Sequence, residues 1–353
     1  MIRVSSLRTA LLASLLSLCA VLIPLAASAG VPSAPMYWAK GSVATNDQAV
    51  EHLTIRARNP AGQDTFIRVQ AANAGFKHGQ LKIAFRQEAP GGTFYADQSF
   101  DVGDYTVMGD HFGVTAGKHR IEVSGGQLVL HLDFGSLKVE ATLSSLAAPL
   151  QVVDRNGPGF IARELFAPVG RLTLQVSDAG GRTFSSTSTA FAMHEASTAT
   201  AHKVYDRAIQ LHHLGADVVL TDYIVTPAER GARPLGFVVI WGKGHNYVGE
   251  VTSETRADEH ADGANGYKVP YQVTVASKRG DARAAVRMTA EKQVERDDDL
   301  ADLNFVARKA AAMFMHPVTY TLRGKVAAEV RPSATAPVAA CEANAKFKYA
   351  QVR

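Results

Sequence analysis

The chain has 353 residues, with 37 lysines and arginines against 33 aspartates and glutamates. This near-balance, and the absence of a long basic stripe, exclude nucleic acid as an expected partner. The length suffices for two hydrophobic cores, and no segment after residue 29 reaches the roughly 18 uninterrupted apolar residues of a spanning helix.

The first 29 residues have the composition of a secretory signal peptide. Arg3 and Arg8 form a basic start, an apolar run extends from Ala10 to Ile23, and Ala27-Ser28-Ala29 is a small-x-small cleavage pattern. An uncleaved anchor is the alternative, but the run is short for spanning a bilayer. We therefore expect cleavage near Ala29 and a periplasmic or secreted mature protein.

Cleavage would change both the charge and the cysteine count. The loss of Arg3 and Arg8 leaves 35 basic residues against 33 acidic ones, a net charge of about +2. The loss of Cys19 leaves Cys341 alone, so no disulfide is expected within the mature chain, although the compartment is oxidising. Stability must then come from burial of apolar side chains.

The first half of the chain alternates apolar and polar residues in short segments that turn residues separate. Such alternation predicts strands with one buried and one exposed face, as in an antiparallel sheet. Consecutive hairpins at this spacing are typical of a barrel or a sandwich. The predicted strands are His52–Arg58, Thr65–Ala71, Gln80–Gln87, Arg120–Ser124, Gln127–Phe134 and Leu137–Leu143.

The pattern breaks at Pro149–Gly159, which we interpret as the boundary between two β-domains, residues 30–150 and 151–330. Strands resume after it with the same character. They are predicted at Arg171–Ser177, Arg182–Glu195, Tyr205–Leu214, Asp217–Thr226, Pro234–Gly242, Tyr267–Ser277 and Ala284–Glu295.

One helix is predicted near the C-terminus, at Asp297–Phe314. Its three leading aspartates favour a helix N-terminus, an apolar stripe follows at helical spacing, and Pro317 ends it. A last strand is predicted at Val318–Val330. Residues 331–353 begin with the Ala/Pro-rich segment Arg331–Ala340 and are interpreted as a flexible tail.

Four histidines lie close together in the segment from Phe191 to Gly215: His194, His202, His212 and His213. Zinc ligands are commonly found at short spacings, whereas His194 and His202 are eight residues apart. His212 and His213 are adjacent, so on a strand they face opposite sides. We predict no metal site. No nucleophile or phosphate-binding motif occurs, and no cofactor is expected.

His194 and Glu195 remain candidates for an acid–base pair, because a histidine can exchange protons near neutral pH. The alternative is that they form a polar rim or that the histidine is a hydrogen-bonded core residue. Aromatic and polar residues on neighbouring strands could also line an apolar cavity in a barrel, although core packing explains the same pattern. The candidate ligand-binding residues are His194, Glu195, Tyr205, Arg207, His212, Tyr223 and Trp241.

The order and character of the segments from residue 36 to 330 resemble the survival-factor (Svf) and AttH families. The resemblance rests on HLTIRARNPAGQDTFIRVQAANAGFKHGQLKIAFRQ, FYADQSFDVGDYTVMGDHFGVTAGKHRIEV, AFAMHEASTATAHKVYDRAIQLHH, PLGFVVIWGKG and HPVTYTLRG. The AttH family includes relatives of carotenoid 1,2-hydratase and of Diels–Alder cyclases. The resemblance implies an all-β protein of two lipocalin-like antiparallel β-barrels with one C-terminal helix, and a bulky apolar ligand.

The chain departs from the enzymatic relatives at MHEASTA. Ala196, Thr198 and Ala199 stand where those relatives carry a second histidine, an aromatic residue and a glycine. This favours a binding protein or carrier for a lipid or isoprenoid over a hydratase or cyclase that uses His194 and Glu195. A structural envelope protein with a filled barrel is the third hypothesis. The expected partner is a hydrophobic small molecule or lipid, transient contact with a membrane surface is compatible with it, and the oligomeric state stays open.

Overall fold

The computed structural model describes residues 30–40, 48–74, 77–154, 161–198, 205–215, 219–227, 233–242, 245–298, 300–301, 309 and 316–352. The expected signal segment and His202 lie outside these residues. Regular structure in the described part is almost entirely antiparallel strand, preceded by a 3₁₀ helix at Tyr37–Lys40. No helix in these ranges is long and apolar enough to cross a membrane.

The first twelve strands form one sheet, in the order β4-β3-β2-β1-β12-β11-β9-β8-β7-β6-β5, with β10 paired to β11. The strands are β1 Val50–Arg58, β2 Asp64–Ala74, β3 Lys77–Ala89, β4 Gly92–Phe100, β5 Tyr105–Val107, β6 Gly113–Ala116, β7 His119–Ser124, β8 Gln127–Asp133, β9 Leu137–Ser145, β10 Leu150–Asp154, β11 Ile161–Asp178 and β12 Thr183–Ser197.

The two faces of this sheet differ because side chains alternate along each strand. The inner face carries Leu53, Ile55 and Ala57 from β1, which belong to one large apolar core. Full burial of a leucine or isoleucine side chain contributes about 1.5–3 kcal/mol, so this face holds the sheet together. The outer face carries the intervening residues of β1, among them His52 and Arg56.

The last eight strands close into a barrel in sequence order, with β20 pairing β13. The strands are β13 Tyr205–Leu214, β14 Val219–Pro227, β15 Leu235–Gly242, β16 His245–Ala261, β17 Lys268–Arg279, β18 Ala282–Asp298, β19 Val318–Arg331 and β20 Ala339–Gln351. Alternate residues of these strands fill the interior with a second apolar core. The fold is therefore the predicted all-β, double lipocalin-like one, with a curled sheet followed by a closed barrel.

The outer face of the sheet packs against the outside of the barrel. Phe191 and Met193 of β12 share one apolar cluster with Phe237 and Val239 of β15. On β15 the alternating residues Val238 and Ile240 point into the barrel core instead. At this contact the barrel wall thus buries apolar residues on its inner face and on its outer face.

The predicted domain boundary near residue 150 does not coincide with the division of the sheets. β10, β11 and β12 all belong to the first sheet, and the division falls between Ser197 and Tyr205. The reason is that β12 pairs with β1, about 140 residues earlier in the chain. Turn-forming residues mark where a strand ends, but they do not show which sheet the next strand joins.

The prediction of a flexible tail at residues 331–353 is wrong. β20 closes the barrel by pairing β19 on one side and β13 on the other. The Ala/Pro-rich composition covers the turn before this strand. After the turn Ala345, Phe347 and Tyr349 alternate inward and are buried, which is the pattern of a core strand.

The predicted start of the C-terminal helix is also wrong, because β18 continues through Asp297 to Asp298. Asp298 accepts hydrogen bonds from the Leu300 amide at 3.1 Å and faces the His316 ring at 3.2 Å. These contacts end the strand. Residues 302–308 and 310–315, where most of the predicted helix falls, lie outside the described residues.

Candidate functional site

His194 lies in the middle of the inner face of the first sheet. β12 is flanked by β1 and β11, and His194 stands opposite Leu53 on one side and Glu164 on the other. Directly opposed residues of antiparallel strands project to the same face, so His194 points into the apolar core. Only 3% of the residue is exposed.

Glu51 holds the imidazole on one side. Its carboxylate lies 2.6 Å from His194 Nε2 and also accepts hydrogen bonds from the backbone amides of Tyr37 at 2.8 Å and Trp38 at 2.5 Å. Both amides belong to the start of the 3₁₀ helix, where backbone donors lack partners within the helix. A fully buried carboxylate therefore fixes the imidazole and, at the same time, anchors the N-terminal segment over it.

Glu164 approaches the other ring nitrogen of His194. Its carboxylate lies 3.5 Å from Nδ1, a long distance for an N–H···O hydrogen bond and longer than the 2.6 Å between Glu51 and Nε2. Burial alone lowers the pKa of His194, but the hydrogen bonds and charges of Glu164 and Glu51 outweigh it and raise the pKa to about 9. The imidazole is consequently protonated at neutral pH.

Three aromatic rings surround this imidazolium. Tyr37 stacks on it at 5.9 Å between ring centroids, while Phe112 and Phe166 present their edges at 5.3 and 6.4 Å. Aromatic walls exclude water and strengthen the electrostatic interactions of the buried charges. Glu164, with its side chain 17% exposed, connects the site to the surface.

Glu195 faces away from His194, so the predicted acid–base pair of these neighbours does not exist. Successive residues of a strand project to opposite faces. On the outer face Glu195 forms an ion pair with Arg163 at 2.6 Å, and Arg163 is 1% exposed. Burial raises the pKa of Glu195, but the charge and the hydrogen bond of Arg163 outweigh burial and keep the pKa below its usual value.

His52 completes this outer polar group opposite Glu195. Burial lowers its pKa to about 4, against the opposing charge of Glu195. His52 is therefore neutral at physiological pH, whereas His194 on the other face is charged. The two faces of the same sheet hold their histidines in different protonation states.

The other predicted ligand-binding residues are divided between two places. Tyr205 and Trp241 pack against the apolar cluster between the sheet and the barrel. His212 lies on this side too, with its ring 5.2 Å from that of Phe191. Arg207 shares the opposite face of β13 with Ile209 and Leu211, which point into the barrel.

The remaining predicted residue, Tyr223, pairs through its backbone with Gln210 and Phe237. Its side chain lies outside the described residues. The seven predicted residues therefore do not form one site: His194 is inside the sheet, Arg207 is inside the barrel, and Glu195, Tyr205, His212 and Trp241 are on the side where the two meet.

The residues that the prediction missed are the partners of His194: Tyr37, Glu51, Phe112, Glu164 and Phe166. One signal was present in the sequence. Glu51 occupies an inward position in β1, on the same face of the strand as Leu53 and Ile55. A carboxylate at an apolar position of an alternating strand indicates a buried polar partner.

In the described part of the chain, no group of three histidine, cysteine, aspartate or glutamate side chains is placed to hold a metal ion. His202 lies outside it. The donors around His194 are instead arranged as an imidazolium between two carboxylates.

Comparisons with known proteins give similar solved structures at low identity. A protein described as AttH from Nitrosomonas europaea is 10% identical, covers 87% of this chain and 92% of its own, and has a TM-score of 0.44. Kievitone hydratase from Nectria haematococca is 8% identical over 92% of this chain and 98% of its own, with a TM-score of 0.43. CghA with Sch210972 is 6% identical over 87% of this chain and 89% of its own, with a TM-score of 0.47.

Of these three, the first carries the name AttH. No protein-family model matches the chain, and no curated protein matches it.

Proposed function

We propose that the protein is a cofactor-independent enzyme of the hydratase or cyclase kind that acts on an apolar molecule. The observation that carries this proposal is the imidazole of His194, held between the carboxylates of Glu51 and Glu164 among aromatic rings. A general acid that is fixed in place among aromatic rings suits proton transfer to a bound apolar substrate.

The chemistry follows from the two ring nitrogens. Nε2 is engaged by Glu51, so the proton on Nδ1 is the one that is transferred. The π electrons of the alkene take this proton and form a C–H bond, and the cation left on the neighbouring carbon lies against the rings of Tyr37 and Phe112. Glu51 keeps the imidazole oriented throughout.

Hydration is completed by water at the cationic carbon. The water oxygen forms the new C–O bond and gives one proton to Glu164, from which it returns to His194 Nδ1. The net change is the addition of one water across the double bond. In a cyclase, a second double bond attacks the cation in place of water, and Glu164 removes a proton from the cyclised cation. General acid–base catalysis of this kind contributes about 10²–10⁴-fold.

Access to the imidazole requires movement of the N-terminal segment. Tyr37 stacks on His194, and Gln151 donates a hydrogen bond to the Tyr37 hydroxyl at 2.7 Å from an exposed position. The segment is attached through the Tyr37 and Trp38 amides on Glu51 and through backbone hydrogen bonds of Val31 and Ser33. We infer that substrate enters beside Glu164 when this segment lifts.

The test uses the purified protein with a panel of polyenes and terpenoid alkenes in heavy-oxygen water. Mass spectrometry would show a mass gain of one labelled water for a hydratase, or a new isomer for a cyclase. His194→Gln is expected to abolish turnover, while His131→Gln, an exposed histidine on β8, should not change it. Equal turnover in wild type and His194→Gln would contradict the proposal.

A second candidate function is the binding or carrying of a hydrophobic ligand in the periplasm. The observation that favours it is the apolar cluster between sheet and barrel, which Tyr205 and Trp241 flank. Native mass spectrometry of protein purified from its own envelope, followed by lipid extraction, tests this candidate. The absence of any co-purified apolar molecule would count against it.

A further inference from the structure

A row of alternating aromatic and arginine side chains crosses the outer face of the first sheet. The strand registers place five residues opposite one another in the order Phe191, Arg56, Phe66, Arg86 and Tyr95, on β12, β1, β2, β3 and β4. Opposed residues project to the same side. The guanidinium of Arg56 lies 5.3 Å from the Phe66 ring centroid, in a cation–π contact.

Arg56, Phe66 and Arg86, the middle three residues of this row, line a cleft of about 340 Å³ beside the barrel. His212 and Leu214 of β13 line its barrel side, and Arg58 and Asp64 lie next to the row. Its volume falls within the range of small-molecule sites, roughly 300–1,000 Å³. The cleft therefore offers an apolar floor and a charged wall in one small space.

The charges of the cleft are only partly compensated. Arg58 pairs with Asp64 at 3.5 Å, and Arg86 pairs with Glu88 at 3.2 Å. Among the described residues no carboxylate lies within 4 Å of the Arg56 guanidinium. Burial, and the charge of Arg68, lower the pKa of Arg56, which shows that its charge is poorly compensated.

A second unsatisfied group comes from the barrel. The Nδ1 atom of His212 is buried and makes no hydrogen bond within the described part of the chain. A buried polar atom without a partner costs about 1–3 kcal/mol. The His212 ring lies 5.2 Å from Phe191, the first member of the aromatic–arginine row. Within the described residues, Arg56 thus borders the cleft without a carboxylate partner, and His212 borders it without a hydrogen bond to Nδ1.

We propose that this cleft is a binding site for a small carboxylate with an apolar body. The carboxylate accepts hydrogen bonds from the guanidinium of Arg56 and from Nδ1 of His212, and the apolar body lies on Phe66 and Leu214. A planar guanidinium matches the geometry of a carboxylate.

The charges of the residues that line the cleft favour a ligand with a single negative charge. Three arginines and two acidic residues line the cleft, which leaves one positive charge, and a carboxylate neutralises it. A doubly charged phosphate would instead face Asp64 and Glu88 with an excess negative charge. The site is separate from His194, because the cleft is on the outer face of β1 and β12 and His194 is on the inner face.

The test is calorimetric titration of the full chain with octanoate, octanol and inorganic phosphate. Octanoate should bind at one site per chain, at least about tenfold more tightly than octanol, because charge-assisted hydrogen bonds contribute this much. Arg56→Gln and His212→Gln should each weaken octanoate binding by about tenfold or more. Arg120→Gln, the same change at an exposed arginine of β7, should leave binding unchanged.

Arg86→Gln provides a second test if the Arg56 variant does not fold. The Arg86 side chain is 57% exposed, so its replacement should not prevent folding. It should weaken octanoate binding several-fold. The proposal is overturned if octanol binds as tightly as octanoate, if phosphate binds more tightly than both, or if Arg86→Gln behaves as Arg120→Gln does. Turnover of alkenes is measured separately, so either proposal can fail without the other.

Discussion

The protonated state of His194 predicts how stability depends on pH. The pKa of His194 is about 9 in the folded protein, against about 6.5 for an unperturbed histidine. The folded state therefore binds this proton more tightly than the unfolded state does. The resulting stabilisation is fully present below about pH 6.5 and is lost as the pH rises through about 9. The difference between the two pKa values corresponds to about 3 kcal/mol in the free energy of unfolding.

Replacing His194 by glutamine isolates this contribution. Glutamine can still donate a hydrogen bond to Glu51, but it does not titrate. Urea unfolding of both proteins between about pH 6 and about pH 10 should show a loss of free energy of unfolding that is about 3 kcal/mol larger in the wild type. His131→Gln serves as a control, since His131 is exposed. Parallel pH profiles of wild type and His194→Gln would refute the assignment of a buried imidazolium.

Three further predictions concern the rest of the molecule. Truncation before Ala339 should prevent cooperative unfolding of the barrel, as seen by circular dichroism, because β20 joins β19 to β13; a stable truncated barrel would contradict this. Arg163→Met should destabilise by about 3–5 kcal/mol in urea, because it leaves Glu195 buried without its partner, and Glu195→Leu in the same chain should restore most of the loss. In His212→Gln, the free energy of unfolding should fall less than in the wild type as the pH decreases. Burial, and the charge of Arg56, lower the pKa of His212 to about 3, so its stabilising contribution is present above about pH 6.5 and is lost as the pH falls; unfolding at about pH 4 and pH 7 measures it.

Sequence alternation located strands where one face is buried. Tyr205–Leu214 was predicted with the bounds that β13 has in the structure. β16, at His245–Ala261, was missed because its second half is rich in acidic residues and mostly exposed, so no apolar face marks it. β20 was missed because the Ala/Pro-rich turn before it suggested a tail. In both cases the local composition is not typical of a strand, and the strand is formed because neighbouring strands pair with it.

The candidate site could be predicted only in part, because its members are distant in sequence. His194 was selected as one of the four histidines between Phe191 and Gly215. Its partner Glu51 is 143 residues away, and spacing within one segment cannot reveal such a pair. Glu195 was chosen because it is next to His194 in sequence, yet alternation places neighbours on opposite faces of a strand.

The charges around β12 also help to specify its register. In the observed register His194 lies between two carboxylates on the inner face, and Glu195 lies beside Arg163 on the outer face. A slip of one residue would turn every side chain of the strand to the other face. Glu195 would then join Glu51 and Glu164 in an apolar interior, and His194 would face Arg163. Three buried carboxylates without a cation are strongly unfavourable. The groups that we propose for catalysis therefore also oppose mispairing of the strand that carries them.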